Sequence, residues 1–252
     1  MKKTLFIVIT VLTYLTASGQ LSVNDTSLSV PMFYATYAVQ LPGGDMADRF
    51  GLNHNIGGGF KWKLRNNWIF GGEFGYIFGN NINSSESIMS NLKTQSGHII
   101  DLAGNFASFN LSERGYFISA NAGKIIPILS PNPNSGLMIS LSAGFLRHKI
   151  KIDVLENTAP QLWDDYKKGY DRLTGGFGIA EFIGYMYLSE SRLINLYGGF
   201  EFTQAWTTPQ RDVNFDTREP DPVQNRFDLL NGFRIGWIIP IFQREPKKFY
   251  YY

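Results

Sequence analysis

The chain has 252 residues, no cysteine, 26 glycines and an aromatic content of 15%. Charged residues are sparse at 17%; without Lys2 and Lys3, which belong to a leader, the 23 basic residues fall to 21, equal to the 21 acidic ones. That balance argues against electrostatic nucleic-acid binding, and the lack of thiols excludes a lipoprotein anchor, a disulfide scaffold and any thiolate metal site.

The N-terminus reads M-K-K, then an apolar run from Leu5 to Leu15, then Ala17-Ser18-Gly19. A basic start, a short apolar core and small residues before a cleavage point predict a secretory signal peptide over 1–19. The run falls short of the roughly 20 residues that a membrane helix needs. A periplasmic segment follows over 20–30.

From there, period-2 alternation and turn residues mark eight strands. The first covers Pro31 to Gln40 and ends at L-P-G-G-D; the second covers Phe50 to Leu64. After R-N-N comes W-I-F-G-G-E-F-G-Y-I-F-G, Trp68 to Gly79. Counting by twos puts Trp68, Phe70, Phe74, Tyr76 and Phe78 on one face and Gly71, Glu73, Gly75 and Gly79 on the other. An aromatic face opposite a glycine-rich face that carries a charge inverts the soluble pattern and suits a barrel in lipid. A polar segment, Asn80 to about Asn105, leads to the fourth strand, Phe106 to Ile126. Within it Gly97–Leu111 reads as a β-hairpin projecting from the loop, although an in-barrel hairpin would change the strand count. The fifth strand runs from Leu137 to Ile152, the sixth from Arg172 to Leu188, the seventh from Arg192 to Trp206 and the eighth from Arg226 to Ile241. Every second connection is short, and the alternate ones include three long loops.

The predicted fold class is therefore all-β: an eight-stranded antiparallel transmembrane β-barrel over 31–241, with short periplasmic turns and long extracellular loops. The predicted location is the outer membrane of a Gram-negative bacterium. A soluble β-sandwich or lipocalin-like barrel would need a better solvent coat than Gly71, Glu73 and Gly75, or Asn195, Gly199 and Glu201, supply.

The strand charges Lys61, Lys63, Glu73, Glu201, Asp228 and Arg234 fall on the inner face; Glu181 is ambiguous, because its strand is apolar in both phases. Glu73, Glu201, Arg234, Lys61 and Asp228 are expected to form an interior charge network. It reads as a salt-bridged plug, with an ion path or gate as the other reading, since eight strands leave no open channel. His54, His98 and His148 are scattered, and Asp164, Asp165 and Asp171 are balanced by Lys167, Lys168 and Arg172. No catalytic site, metal or cofactor is expected, and Gly57-Gly58-Gly59 and Gly71-Gly72 read as close-packing or bending positions in strands and not as phosphate loops.

Two exposed segments are candidate contacts. Trp163, Tyr166, Tyr170 and Arg172 lie in a loop that either binds a partner or folds over its own barrel mouth. Lys247, Lys248, Phe249 and Tyr250 belong to a periplasmic tail over 242–252, an interfacial anchor or a docking peptide.

The stretches G-F-L-R-H-K-I-K-I, Y-K-K-G-Y-D-R-L-T-G-G-F and F-R-I-G-W-I-I-P-I-F resemble a family of small Bacteroidota outer-membrane β-barrels, and the leader end A-S-G-Q suits that phylum. Some barrels of this group are implicated in protein export as accessory parts of the type IX secretion translocon. The resemblance implies a non-enzymatic accessory subunit. Its expected partners are outer-membrane lipids and other outer-membrane or periplasmic proteins of the secretion complex, with no nucleic acid among them. A small passive pore or transporter and a surface adhesin are the alternatives.

Overall fold

A computed structural model describes residues 26–189, 194–220 and 225–241. The expected signal peptide and tail lie outside the described residues.

Eight long strands close into a ring in the order β1 (Val30–Gly44), β10 (Arg226–Pro240), β7 (Leu196–Pro209), β6 (Thr174–Tyr187), β5 (Gly136–Val154), β4 (Phe109–Ile126), β3 (Trp68–Gly79) and β2 (Asn53–Lys63). Every pair is antiparallel, and β1 closes on β10 from Met32 opposite Pro240 to Gly44 opposite Asp228. The two remaining short strands, β8 (Val213–Asn214) and β9 (Glu219–Pro220), form a hairpin in the loop after β7.

The strand bounds differ from expectation mainly at the loop end. Leu41 to Gly44 continue β1. Phe50 instead bridges Ile82 outside the barrel. The fourth barrel strand starts at Phe109, because Ile100 and Phe106 bridge each other in a small hairpin of the β3–β4 loop. That hairpin lies in the loop, not in the ring, but packs Ile99 and Ala107 into the cluster at the barrel mouth instead of projecting, so the ring keeps eight strands.

Side chains alternate between lumen and exterior as the pleat requires. On β3, Trp68, Phe70, Phe74 and Tyr76 are exposed while Ile69 and Ile77 are buried. The same holds round the ring: Phe33, Tyr37, Ile56, Trp62, Ile118, Leu141, Phe177, Phe200, Trp206, Phe233 and Trp237 all face outward. On β4 the outward residues between Arg114 and Lys124 are Tyr116, Ile118, Ala120 and Ala122. At about 3.4 Å per residue and a tilt near 45°, this span rises about 24 Å, the height of an outer-membrane barrel's apolar band. Lys124 lies over the Trp68 ring at 5.5 Å, marking the lower edge of that band. No helix among the described residues is long and apolar enough to cross a membrane. The crossing is made by strands, and the protein is a transmembrane β-barrel of the outer membrane.

The lumen is packed in layers. At the short-turn end, Met32, Ile69, Ile125, Met138, Phe182, Met186 and Ile238 form a dry cluster. This explains why β6 is apolar in both phases: its inward Phe182 and Met186 belong to that cluster, and its outward Phe177 and Ile183 face lipid. Lys63 closes this end, its ammonium donating to the Leu28 carbonyl at 3.0 Å and to Asn134 Oδ1 at 2.8 Å. At the opposite end a second cluster joins Ile77, Leu146 and Ile150 of the strands to Met46, Phe50, Ile88, Met89, Ile99, Leu162 and Tyr170 of the loops.

Glycines make room at mid-height. A Cβ on Gly59 would stand 2.1 Å from the Gly72 carbonyl oxygen and 2.8 Å from the Tyr34 hydroxyl. Gly59→Val is therefore expected to destabilise the barrel by about 1–3 kcal/mol, the usual cost of overpacking. Urea unfolding in lipid vesicles measures this, and a wild-type midpoint would show that the strands can yield.

Candidate functional site

The centre of the lumen is built around Arg234 of β10. Its guanidinium donates through Nη1 to Glu73 of β3 and through Nη2 to Glu201 of β7, the latter at 2.7 Å. The Tyr34 hydroxyl donates to the other Glu73 oxygen at 2.8 Å. The Lys61 ammonium sits 4.4 Å from the Tyr34 ring centre and 4.7 Å from that of Tyr197. Two cations thus face two carboxylates, and the aromatic rings take up the ammonium's remaining field. The void among Lys61, Glu73, Tyr197, Glu201 and Arg234 is about 10 Å³, roughly enough for one water. Glu73, Glu201, Arg234 and Lys61 therefore fill the bore.

Asp228 stands apart from this group. It lies six positions before Arg234 on the same strand, roughly 20 Å away at about 3.3 Å per residue. Its carboxylate instead meets His148 Nε2 at 2.9 Å and accepts from the Thr207 hydroxyl at 2.5 Å. Phe50 covers the His148 ring edge-on at 5.5 Å. An Asp–His pair beside a hydroxyl invites a nucleophile reading, but Thr207 donates to the carboxylate and not to the imidazole, and His148 is fully enclosed. The sequence offered no cue to this pair, which joins residues 80 positions apart. Nearby, Asn53 donates from its amide to both oxygens of buried Glu113, at 3.1 and 3.0 Å.

The other histidines are elsewhere. His54 bonds the Tyr37 hydroxyl at 2.8 Å on the outer wall, and His98 stacks on Phe106 at 4.3 Å in a loop. Asp165 pairs with Lys168 at 2.5 Å in solvent, whereas Asp171 is buried and gripped by Arg211 through two bonds of 2.9 and 2.5 Å. Among the described residues no three His, Asp or Glu side chains converge as a metal site would require.

The β5–β6 loop splits its four candidate contact residues. Tyr170 is buried, edge-on to Phe215 at 5.5 Å, and burial pushes its phenol up from the ordinary tyrosine range. Arg172 turns to Asp216 at 3.2 Å, while its carbonyl accepts from Arg49 of the β1–β2 loop. These two lock the loops over the mouth. Trp163 and Tyr166 stay on the surface, at 36% and 62% exposure. Lys247, Lys248, Phe249 and Tyr250 lie outside the described residues.

Glu181, ambiguous in the sequence, points outward. It sits in the middle of β6, paired with Leu141 on one side and Phe202 on the other, among the exposed Phe177, Ile183 and Tyr185. Its only hydrogen bond among the described residues is a long 3.4 Å contact from the Gln204 amide.

No family model matches the sequence, and no curated protein does. Among solved structures the chain is similar to Ail, the attachment invasion locus protein of Yersinia pestis, with 9% identity, 83% of this chain and 98% of that chain covered, and a TM-score of 0.44. It is also similar to the outer membrane protein OprG of Pseudomonas aeruginosa, with 8% identity, 86% and 99% covered and a TM-score of 0.39. A third is the N-terminal β-barrel domain of Pseudomonas aeruginosa OprF, with 10% identity, 84% and 99% covered and a TM-score of 0.38. The barrel itself rests on the strand pairing of this chain.

Proposed function

We propose that the protein is a non-enzymatic accessory subunit of an outer-membrane protein assembly, and that this assembly is the type IX secretion translocon. The observation that carries the reading is Glu181. A carboxylate at the middle of the lipid-facing wall costs up to about 3 kcal/mol against acyl chains. A neighbouring protein that offers a cation or donor at that depth removes the cost. The filled bore points the same way, because with a void of about 10 Å³ the useful surfaces are the outer wall and the loops. The type IX component of the proposal draws on the resemblance of Gly144–Ile152, Tyr166–Phe177 and Phe233–Phe242 to Bacteroidota barrels.

The test is affinity purification from the native outer membrane, combined with a secretion assay in a deletion strain. Stoichiometric co-purification of outer-membrane or periplasmic proteins and a secretion defect are expected. Recovery of the barrel alone, with export intact, would overturn the proposal. The pore alternative predicts conductance in planar bilayers that depends on Glu73 or Arg234; the filled bore predicts none.

A further inference from the structure

We propose a second site, on the outer wall at the loop-side edge of the apolar band, that binds the phosphate groups of an anionic outer-leaflet lipid. It lies where β3, β4 and β5 meet the loops. Tyr76, Arg114, Tyr116, Arg147, Lys149 and Arg211 line a cavity of about 430 Å³ there.

Register makes the charge arrangement unusual. Arg114 of β4 is the direct cross-strand partner of Lys149 on β5, and Arg147 lies opposite Tyr116 one step below. Like charges directly opposite each other in an antiparallel pair are destabilising unless an anion lies between them. Carboxylates do not fill that role here. Asp171 lies 3.8 Å from Lys149 but already takes two bonds from Arg211. Arg114 donates through Nη1 to the Glu113 backbone carbonyl at 2.6 Å and makes no salt bridge among the described residues. Arg147 carries a buried Nε with no hydrogen-bond partner. Several other loop-side cations have carboxylate partners: Lys151 with Asp153 at 2.8 Å, Lys168 with Asp165 at 2.5 Å, Arg172 with Asp216 at 3.2 Å. Arg114, Arg147 and Lys149 thus share one stretch of wall with Asp171, whose oxygens Arg211 already holds, and guanidinium pairs match phosphate oxygens bidentately.

Position assigns the phosphate to a lipid. The cavity is on the exterior, with Tyr76 and Tyr116 at the aromatic level of the interface. Directly beneath it Ile118 pairs with Phe145 and Ala120 with Ala143. The two alanines leave a groove of about 580 Å³ between Ile118, Phe145 and Phe177, running down the wall. A headgroup phosphate above and an acyl chain in the groove below is the geometry of one bound lipid. This site is distinct from the Glu181 contact and does not depend on the assembly.

The test uses the full barrel in phosphatidylcholine nanodiscs, titrated with diphosphorylated lipid A, with the same lipid after dephosphorylation, and with inorganic phosphate. Native mass spectrometry reads occupancy. The wild-type barrel should hold the diphosphorylated lipid at least tenfold more tightly than the dephosphorylated one. The Arg114→Gln/Arg147→Gln variant should lose that preference, and Arg114→Lys/Arg147→Lys should retain part of it. The lipid comparison needs only the wild-type chain, so it decides the matter even if the variants fold poorly. Equal binding of the two lipids overturns the proposal. Displacement of the lipid by inorganic phosphate at equal concentration would reassign the cavity to a free anion.

Discussion

Arg234→Met is expected to destabilise the barrel by about 3–5 kcal/mol, the cost of stranding buried charges whose partner is gone. The substitution keeps most of the side-chain volume but leaves Glu73 and Glu201 facing each other across a void of about 10 Å³, with Lys61 alone to offset them. Lys61 is held between the Tyr34 and Tyr197 rings and cannot reproduce the two directed bonds that Arg234 makes. If the loss comes from unpaired charge and not from lost packing, adding Glu73→Gln and Glu201→Gln should restore most of the stability, because a neutral cluster of similar shape needs no guanidinium. Urea titration in phosphatidylcholine vesicles, followed by tryptophan fluorescence, measures both. A triple variant no more stable than Arg234→Met would mean that the arginine acts through packing alone.

The second large effect concerns Glu181, and its sign differs between the isolated barrel and the proposed assembly. Glu181→Leu replaces a carboxylate facing acyl chains by an apolar side chain, so the purified barrel should gain up to about 3 kcal/mol in lipid. In the proposed assembly the same change should detach the barrel from its partners, since the apolar wall alone gives them no advantage over lipid. Glu181→Gln, which keeps hydrogen-bonding capacity without charge, should fall between. The checks are urea unfolding of the pure protein and co-purification from the native membrane. A variant that keeps its partners in full and gains no stability would show that Glu181 already snorkels to a polar environment.

The fold was legible because lipid and lumen impose opposite demands on successive residues. The Trp68–Gly79 stretch carries that contrast openly, and the alternation of short and long connections supplied the closure. The central cluster was legible in part: Glu73, Glu201, Arg234 and Lys61 each showed their face by parity. Asp228 shares that parity, but parity says nothing about height, so its separation from the others was hidden. Its pairing with His148 was hidden too, since two distant strands bring them together only in the closed ring. Glu181 was opaque for another reason: the lower lumen is itself apolar, so β6 has oily residues in both phases and no contrast to read. The loops told least. Nothing in Leu155–Leu173 distinguishes Tyr170, which is buried against Phe215, from Tyr166, which is exposed, because the difference arises from the β7–β10 loop folding over the first.

The three strands that meet at Arg234 come from opposite ends of the polypeptide, with Glu73 161 positions away from it. β10 is also the strand that joins β1 and completes the circle. Glu201 meets Arg234 across the neighbouring strands β7 and β10, but the bond from Arg234 to Glu73 crosses the lumen between the two halves of the chain and forms only when the cylinder is complete. That one cross-lumen bond ties the last strand to the third, so closing the circle and satisfying Glu73 favour each other during membrane insertion.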